Sequence, residues 1–171
     1  KEIEKLNLDT IFFLNGKKIN KIINKNTLVE AYKIFKIYPS TIHIEIQKTN
    51  FLAKININGK TYLIGSNGKL SNSYLADKNL PFIFGNPKIS QFINIKNIID
   101  DSKISYNQIK NFLFYKSKRW DLELNNNIIL KLPEENIKDS LDNAYEFLKE
   151  KNFDDNKIID LRVKNQIIVN D

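Results

Sequence analysis

The sequence predicts an α+β protein: a small helix-and-strand unit over residues 1–49, then a larger, mostly antiparallel β unit with flanking helices over residues 50–171. Three observations predict it. Apolar residues recur at three- and four-residue spacing in the first 25 residues and again over 87–100 and 137–148, the period of a one-sided helix. Between these stretches they alternate with polar residues, the period of a half-buried strand. Asn58-Gly59 and Asn67-Gly68 are the dipeptides that tight hairpins favour, because both accept a left-handed backbone.

Taken in order, Lys1 to Leu8 reads as the end of a helix and Ile11 to Leu14 as a short buried run. Asn15 can cap a second helix from Gly16 to about Lys25, with Ile19, Ile22 and Ile23 on one face. Two strand-like runs follow, Leu28 to Ile37 and Thr41 to Gln47, joined at Tyr38-Pro39-Ser40. A first strand of this unit is expected upstream of Lys1. The boundary falls near Thr49-Asn50. Ala53, Ile55 and Ile57 alternate up to Asn58-Gly59, and Tyr62-Leu63-Ile64 returns. Ser66 to Asn79 reads as a polar loop, and Pro81 to Gly85 as a short buried segment. Asn86-Pro87 opens a helix to about Asp100, where proline is tolerated in the first turn. Tyr106 to Tyr115 reads as a strand. Trp120, Leu122 and Leu124 alternate with Asp121 and Glu123. A turn at Asn125-Asn126-Asn127 leads to Ile128, Leu130 and Leu132, a hairpin. Pro133-Glu134-Glu135 leads into a helix with the apolar stripe Ile137, Leu141, Ala144, Tyr145 and Leu148. Asn152 to Asn156 breaks it.

The last stretch, Phe153 to Asp171, reads as two short strands. Ile159, Leu161 and Val163 alternate with Asp160 and Arg162; Ile167 and Val169 alternate with Gln166, Ile168 and Asn170. A terminal strand leaves one row of backbone N–H and C=O groups free, and such an edge pairs with a strand from another protein. This edge is read as the working part of the chain. Arg162 offers a planar fork for a carboxylate; its partner is either Asp160 or Asp121 within the chain, or an acid on another protein. Trp120 fits core packing better than an exposed anchor, and Lys116, Lys118 and Arg119 form a basic patch before it.

Catalytic apparatus is not legible. The chain has no cysteine and a single histidine, His43, on the polar side of a strand without ligands at metal spacing. The pairs Asp100-Asp101, Glu134-Glu135 and Asp154-Asp155 fall at helix ends and a turn. Gly65-Ser66-Asn67-Gly68 lacks the Lys-Ser/Thr of a phosphate loop. No cofactor and no small-molecule substrate is expected. The net charge of +7 is dispersed, +4 over residues 1–50 and +3 over the rest. Lys17, Lys18, Lys21 and Lys25 fit the solvent face of a helix, so nucleic acid is not expected as a partner. No run of about 18 apolar residues is present to span a bilayer. The chain opens on Lys1 and reads as a fragment or processed form.

Together these pieces resemble the periplasmic part of the bacterial FtsQ/DivIB cell-division family. Ile11 to Leu14 with the lysine-rich helix looks like the end of its POTRA domain. Val29, Ala31, Pro39, Thr41, Ile42, Ile44 and Ile46 fall where its V-x-x-A…P-x-T-L-x-I-x-I pattern expects them, with one residue fewer after Val29. Tyr62-Leu63-Ile64 with Asn67-Gly68, Leu80 to Gly85, Arg119 to Leu124, and Ile159-Asp160-Leu161-Arg162 fall in the family's order, in the alphaproteobacterial form. Thr27-Leu28-Val29 replaces the family's Pro-Trp-Val, and Val163 stands where some members carry an aromatic. The resemblance implies a POTRA domain over 1–49 without its first strand, and a β domain over 50–171. It implies a non-enzymatic, single-pass inner-membrane protein whose periplasmic part holds FtsB and FtsL and helps control septal peptidoglycan synthesis. An upstream divisome recruiter would meet the POTRA unit. Carried over residue by residue, the partner contacts are Arg162, the pairing strand Val163, Lys164, Asn165, Gln166, Ile167, Ile168, Val169 and Asn170, and Lys118 as a second contact. The alternative is a POTRA-type chaperone or translocation module that binds extended polypeptides.

Overall fold

The computed structural model describes residues 16–72, 79–150, 157–164 and 166–170. The expected helix over 1–8 and the apolar run 11–14 lie outside these. So do Asn165 and the turn expected at 152–156.

Helix α1 (Gly16–Lys25) buries Ile19 and Ile23 against Val29, with Tyr32, Ile34 and Ile44 packed beside them. The last three come from an antiparallel hairpin, β1 (Val29–Ile37) and β2 (Thr41–Lys48), in which Ile34 faces Ile44 and Tyr32 faces Ile46. The helix covers one face of this two-stranded sheet. On the other face Phe35 lies 5.9 Å from the ring of His43, which is exposed as expected.

A nine-stranded sheet begins three residues after β2. Its order is β11-β10-β9-β8-β7-β6-β3-β4-β5, with β3 Phe51–Ile57, β4 Lys60–Gly65, β5 Leu70–Asn72, β6 Phe82–Phe84, β7 Ile109–Phe114, β8 Trp120–Leu124, β9 Ile129–Lys131, β10 Ile158–Asp160 and β11 Ile168–Asn170. Five of the eight pairings are antiparallel; β3–β6, β6–β7 and β9–β10 are parallel. The β6–β7 and β9–β10 crossovers are helical, as parallel neighbours require a long connection: α2 (Ile89–Asp100) and α3 (Ile137–Glu150). Both helices lie on one face. Phe92, Ile95 and Ile99 from α2 and Leu141 and Ala144 from α3 join Phe112, Leu122, Leu130 and Ile159 from the strands in one core. Trp120 is part of that core, edge-on to Phe112 and 4.6 Å from Phe114.

Four sequence expectations are corrected here. The stretch after Gly65 is not all loop: Leu70–Asn72 adds β5 to β4. Tyr106 to Gln108 forms a 3-10 turn, and the strand starts at Ile109. Helix α2 starts at Ile89, with the Lys88 N–H bonded to Gln91 Oε1 at 2.8 Å; Pro87 precedes the cap. Only Pro81 and Ile83 of the expected buried segment are buried, while Phe84 is exposed on the face away from the helices.

The two sheets meet through side-chain amides and hydroxyls. Asn67 Nδ2 donates to the carbonyls of Thr27 and Val29 at 3.0 and 2.9 Å. Thr49 and Ser66 hydroxyls both donate to Glu30 Oε2, at 2.9 and 2.7 Å. The β4–β5 turn thereby holds the start of β1. Gly65 is needed there: a Cβ would lie 2.7 Å from both Asn67 Oδ1 and Thr49 Oγ1.

Candidate partner-binding edge and groove

The open edge at the C-terminal end of the sheet is β11. Among the described residues it pairs with β10 alone, antiparallel, with Ile158 opposite Asn170, Ile159 opposite Val169 and Asp160 opposite Ile168. Hydrogen bonding on the other side of β10 fixes which β11 groups are free. Ile129 N–H donates to the Lys157 carbonyl, and Leu161 N–H to the Lys131 carbonyl, both at 2.9 Å. Residues 157, 159 and 161 therefore face β9. By alternation Ile158 and Asp160 face β11, and their partners Asn170 and Ile168 face back. Val169 is left with its N–H and C=O directed to the open side.

The strand is shorter than expected. Val163, Lys164 and Gln166 lie in the β10–β11 connection, closed by Gln166 N–H to the Val163 carbonyl at 3.2 Å. Ile167 is half-buried against the main core, while Ile168 and Val169 are exposed. The reason β10 stops at Asp160 is local. Its carboxylate accepts the backbone N–H of Arg162 at 3.1 Å and the Arg162 Nε at 2.7 Å, turning the chain. Arg162 Nη2 bonds the other carboxylate oxygen. The Arg162 bonds hold the Asp160 carboxyl below the usual carboxylate range. Of the partners left open for Arg162 within the chain, the structure uses Asp160.

Asp121 departs most from the sequence reading. Alternation put it on the solvent side, yet its side chain is 1% exposed. Arg119 Nε reaches its Oδ1 at 3.2 Å, and its Oδ2 has no hydrogen-bond partner among the described residues. The Arg119 guanidinium lies over the Tyr115 ring, 4.6 Å from its centre, and the Tyr115–Arg119 turn is closed by Tyr115 N–H to the Arg119 carbonyl at 3.0 Å. Burial, then the Asp121 charge, raise the Tyr115 hydroxyl above its ordinary value. Lys118 occupies that turn with φ +65° and is exposed. Sequence reasoning noticed Arg119 only as part of a basic patch; the signal available was its i, i+2 spacing to Asp121 on a strand, which puts both on one face.

Arg119, Arg162 and Lys164 line one groove of about 1080 Å³. Its opposite wall is α3 and the approach to it, including Glu134, Asp139 and Glu146. The groove thus has a cationic side toward the sheet and an acidic side toward the helix. Among the described residues no group of three or more His, Cys, Asp or Glu could hold a metal, and no helix is long and apolar enough to cross a membrane.

Residues 53–162 match the family model for the C-terminal region of the cell-division proteins FtsQ and DivIB, well over half of the chain. FtsQ of Rickettsia bellii is 26% identical over 163 residues, covering 94% of this chain and 61% of that protein. FtsQ of Rickettsia felis is 28% identical over 167 residues, with coverage of 93% and 61%. FtsQ of Rhizobium radiobacter is 26% identical over 118 residues, or 66% of this chain and 55% of that protein. The chain therefore spans about three fifths of the length of the rickettsial relatives. A solved structure of the major extracytoplasmic domain of DivIB from Geobacillus stearothermophilus aligns at a TM-score of 0.44 and 10% identity, over 60% of this chain and 92% of that one.

Proposed function

From the premise that this chain belongs to the FtsQ/DivIB family of cell-division proteins, we propose that it is the periplasmic, partner-holding part of a non-enzymatic divisome scaffold. It binds FtsB and FtsL by adding a partner strand to β11 and so helps to control septal peptidoglycan synthesis. Residues 1–49 form a POTRA-like unit that meets an upstream recruiter, and residues 50–171 form the β domain. The full-length protein is a single-pass inner-membrane protein.

The observation that carries this reading is the open side of β11. A sheet of nine strands ends there, Val169 directs its N–H and C=O outward, and Ile168 and Val169 expose apolar side chains. Main-chain bonds to an edge give affinity, and side-chain contacts beside it give choice of partner. Lys118, Arg162 and the connection Val163 to Ile167 border the incoming strand. Among the described residues Arg162 has one Nη group without a hydrogen bond, and that group is offered to a partner acid.

The test is a calorimetric titration of the folded chain with a synthetic periplasmic segment of the FtsB from the same genome. Saturable one-to-one binding is expected. Equal binding of unrelated extended peptides would favour a chaperone instead.

A further inference from the structure

We propose that the tip of the β1–β2 hairpin docks on an anionic lipid surface, with Ile37 and Tyr38 entering the headgroup layer and Lys33 and Lys36 lying against its phosphates. The inference goes beyond the strand-addition reading and stands without it. The β4–β5 turn that holds the small unit is at the opposite end of the nine-stranded sheet from β11.

Charge is segregated along the chain. Residues 16–72 hold ten lysines and two acids, whereas residues 73–171 hold fifteen basic and fifteen acidic residues. The excess that looks dispersed when the chain is divided at residue 50 therefore belongs to the small unit and the strands β3 to β5 beside it. Of the two acids, Glu30 is turned to the junction, where its Oε2 accepts the Thr49 and Ser66 hydroxyls. Glu45 is opposite Lys33 on the hairpin and 3.6 Å from His43. Neither lies at the tip.

The fold carries the tip away from the β domain. Lys69 Nζ donates to the Asn24 carbonyl at 2.8 Å, and Asn67 Nδ2 to those of Thr27 and Val29. The C-terminal end of α1 and the start of β1 are thus both held at the β4–β5 turn. From there β1 runs nine residues, about 30 Å. The ten residues of α1 span only about 15 Å, so the hairpin projects past the helix. Its projecting end is apolar: Phe35, Ile37 and Tyr38 are 44%, 53% and 62% exposed. Phe35 and Ile37 share the face away from α1 with Lys33, while Lys36 alternates to the other face, and both lysines are exposed. The tip therefore has an aromatic and aliphatic end with a cation on each side behind it.

That is the composition of an interfacial anchor. Apolar groups settle about 5–10 Å into the headgroup boundary, while lysine stems lie along them and carry the ammonium groups to the phosphates. The surplus of lysine over acid selects an anionic leaflet, at about fivefold in partitioning for each lysine at the surface. A nucleic-acid duplex would meet the same charge but leave Ile37 in water.

The experiment is co-sedimentation of the whole chain with vesicles of equimolar phosphatidylglycerol and phosphatidylcholine, and with vesicles of phosphatidylcholine alone, at rising salt. Wild type is compared with Lys33→Gln/Lys36→Gln, Ile37→Ser/Tyr38→Ser, Glu45→Gln and Lys88→Gln/Lys149→Gln, each checked for an unchanged melting midpoint. The last removes the same charge from exposed sites in the neutral part of the chain. Wild type should bind the mixed vesicles, release with salt, and bind the neutral ones at least about tenfold more weakly. Lys33→Gln/Lys36→Gln should lose more than about tenfold, and Lys88→Gln/Lys149→Gln less than about twofold. Glu45→Gln, a gain that misfolding cannot imitate, should bind about fivefold more tightly. Ile37→Ser/Tyr38→Ser should bind more weakly at every salt concentration. Equal binding to both vesicles, no binding to the mixed ones, an equal loss in the two lysine pairs, or full binding by Ile37→Ser/Tyr38→Ser overturns the proposal. Retention on duplex DNA without vesicle binding overturns it in favour of nucleic acid. Titration with the FtsB segment reports on strand addition separately, so the failure of either reading leaves the other in place.

Discussion

Arg119→Ala should destabilise the chain far more than removal of a surface arginine would. Asp121 is 1% exposed, its Oδ1 is paired with Arg119, and its Oδ2 has no hydrogen-bond partner among the described residues. Removing the arginine strands a buried negative charge. Breaking a buried pair from one side costs about 3–5 kcal/mol. Arg119 is 23% exposed, so water can enter the space it leaves, and the lower end, about 3 kcal/mol, is expected. That is a large share of the roughly 5–15 kcal/mol that holds a typical domain. The assay is urea denaturation at neutral pH, with the m-value checked to be unchanged. Asp121→Asn in the same chain removes the stranded charge and should restore more than half of the loss. A cost below about 1 kcal/mol, the range of an exposed pair, would refute the reasoning, as would a double variant no more stable than Arg119→Ala.

Three further outcomes follow from local geometry. Gly85→Ala places a Cβ 2.3 Å from the Phe114 carbonyl oxygen at φ +95°, so β6 must shift from β7; the left-handed backbone alone costs about 1–2 kcal/mol, and thermal melting should show a loss larger than that. Tyr106→Phe removes a 2.7 Å bond to the Leu52 carbonyl from a largely buried hydroxyl whose pKa burial raises; leaving that acceptor unpaired should cost about 1–3 kcal/mol in urea unfolding. Arg162→Gln should raise the Asp160 midpoint in a carbon-detected NMR titration, because Arg162 is what depresses it. A carboxyl with a lowered folded value adds stability above its unfolded value and loses it as pH falls through the folded one. The stability difference between wild type and Arg162→Gln should therefore be present at neutral pH and close below the usual carboxylate range.

Local chemistry made much of the fold legible. Asn58-Gly59 turns the β3–β4 hairpin with φ of 51° and 78°, the conformation that dipeptide favours. The stripe Phe92, Ile95 and Ile99 is buried as helical spacing predicts. What the sequence could not convey is which distant segments become neighbours. Strand β5 has three residues in a polar stretch, too short for alternation to register. Tyr106 to Gln108 carries no helical period, yet Ser105 N–H bonded to Gln108 Oε1 at 3.2 Å closes a turn there. At the candidate site the open edge and the Arg162–Asp160 alternative were readable. Alternation alone overextends the terminal strand to Val163, because the alternation of Val163 with Arg162 continues through a turn that the Asp160 side chain creates. Asp121 was misplaced because alternation assumes one face meets water. Arg119 folds back over that face and buries it.

Strand addition requires β11 to be an edge that takes a partner strand, and the choice of proline position tests this most sharply. Val169→Pro removes the N–H that faces the open side and leaves the β10–β11 ladder intact, as edge strands tolerate. Ile168→Pro removes a donor that faces β10 instead. Calorimetric titration with the FtsB segment should show Val169→Pro folded, with an unchanged melting midpoint, and deficient in binding. Full-strength binding by a folded Val169→Pro would contradict strand addition at this edge.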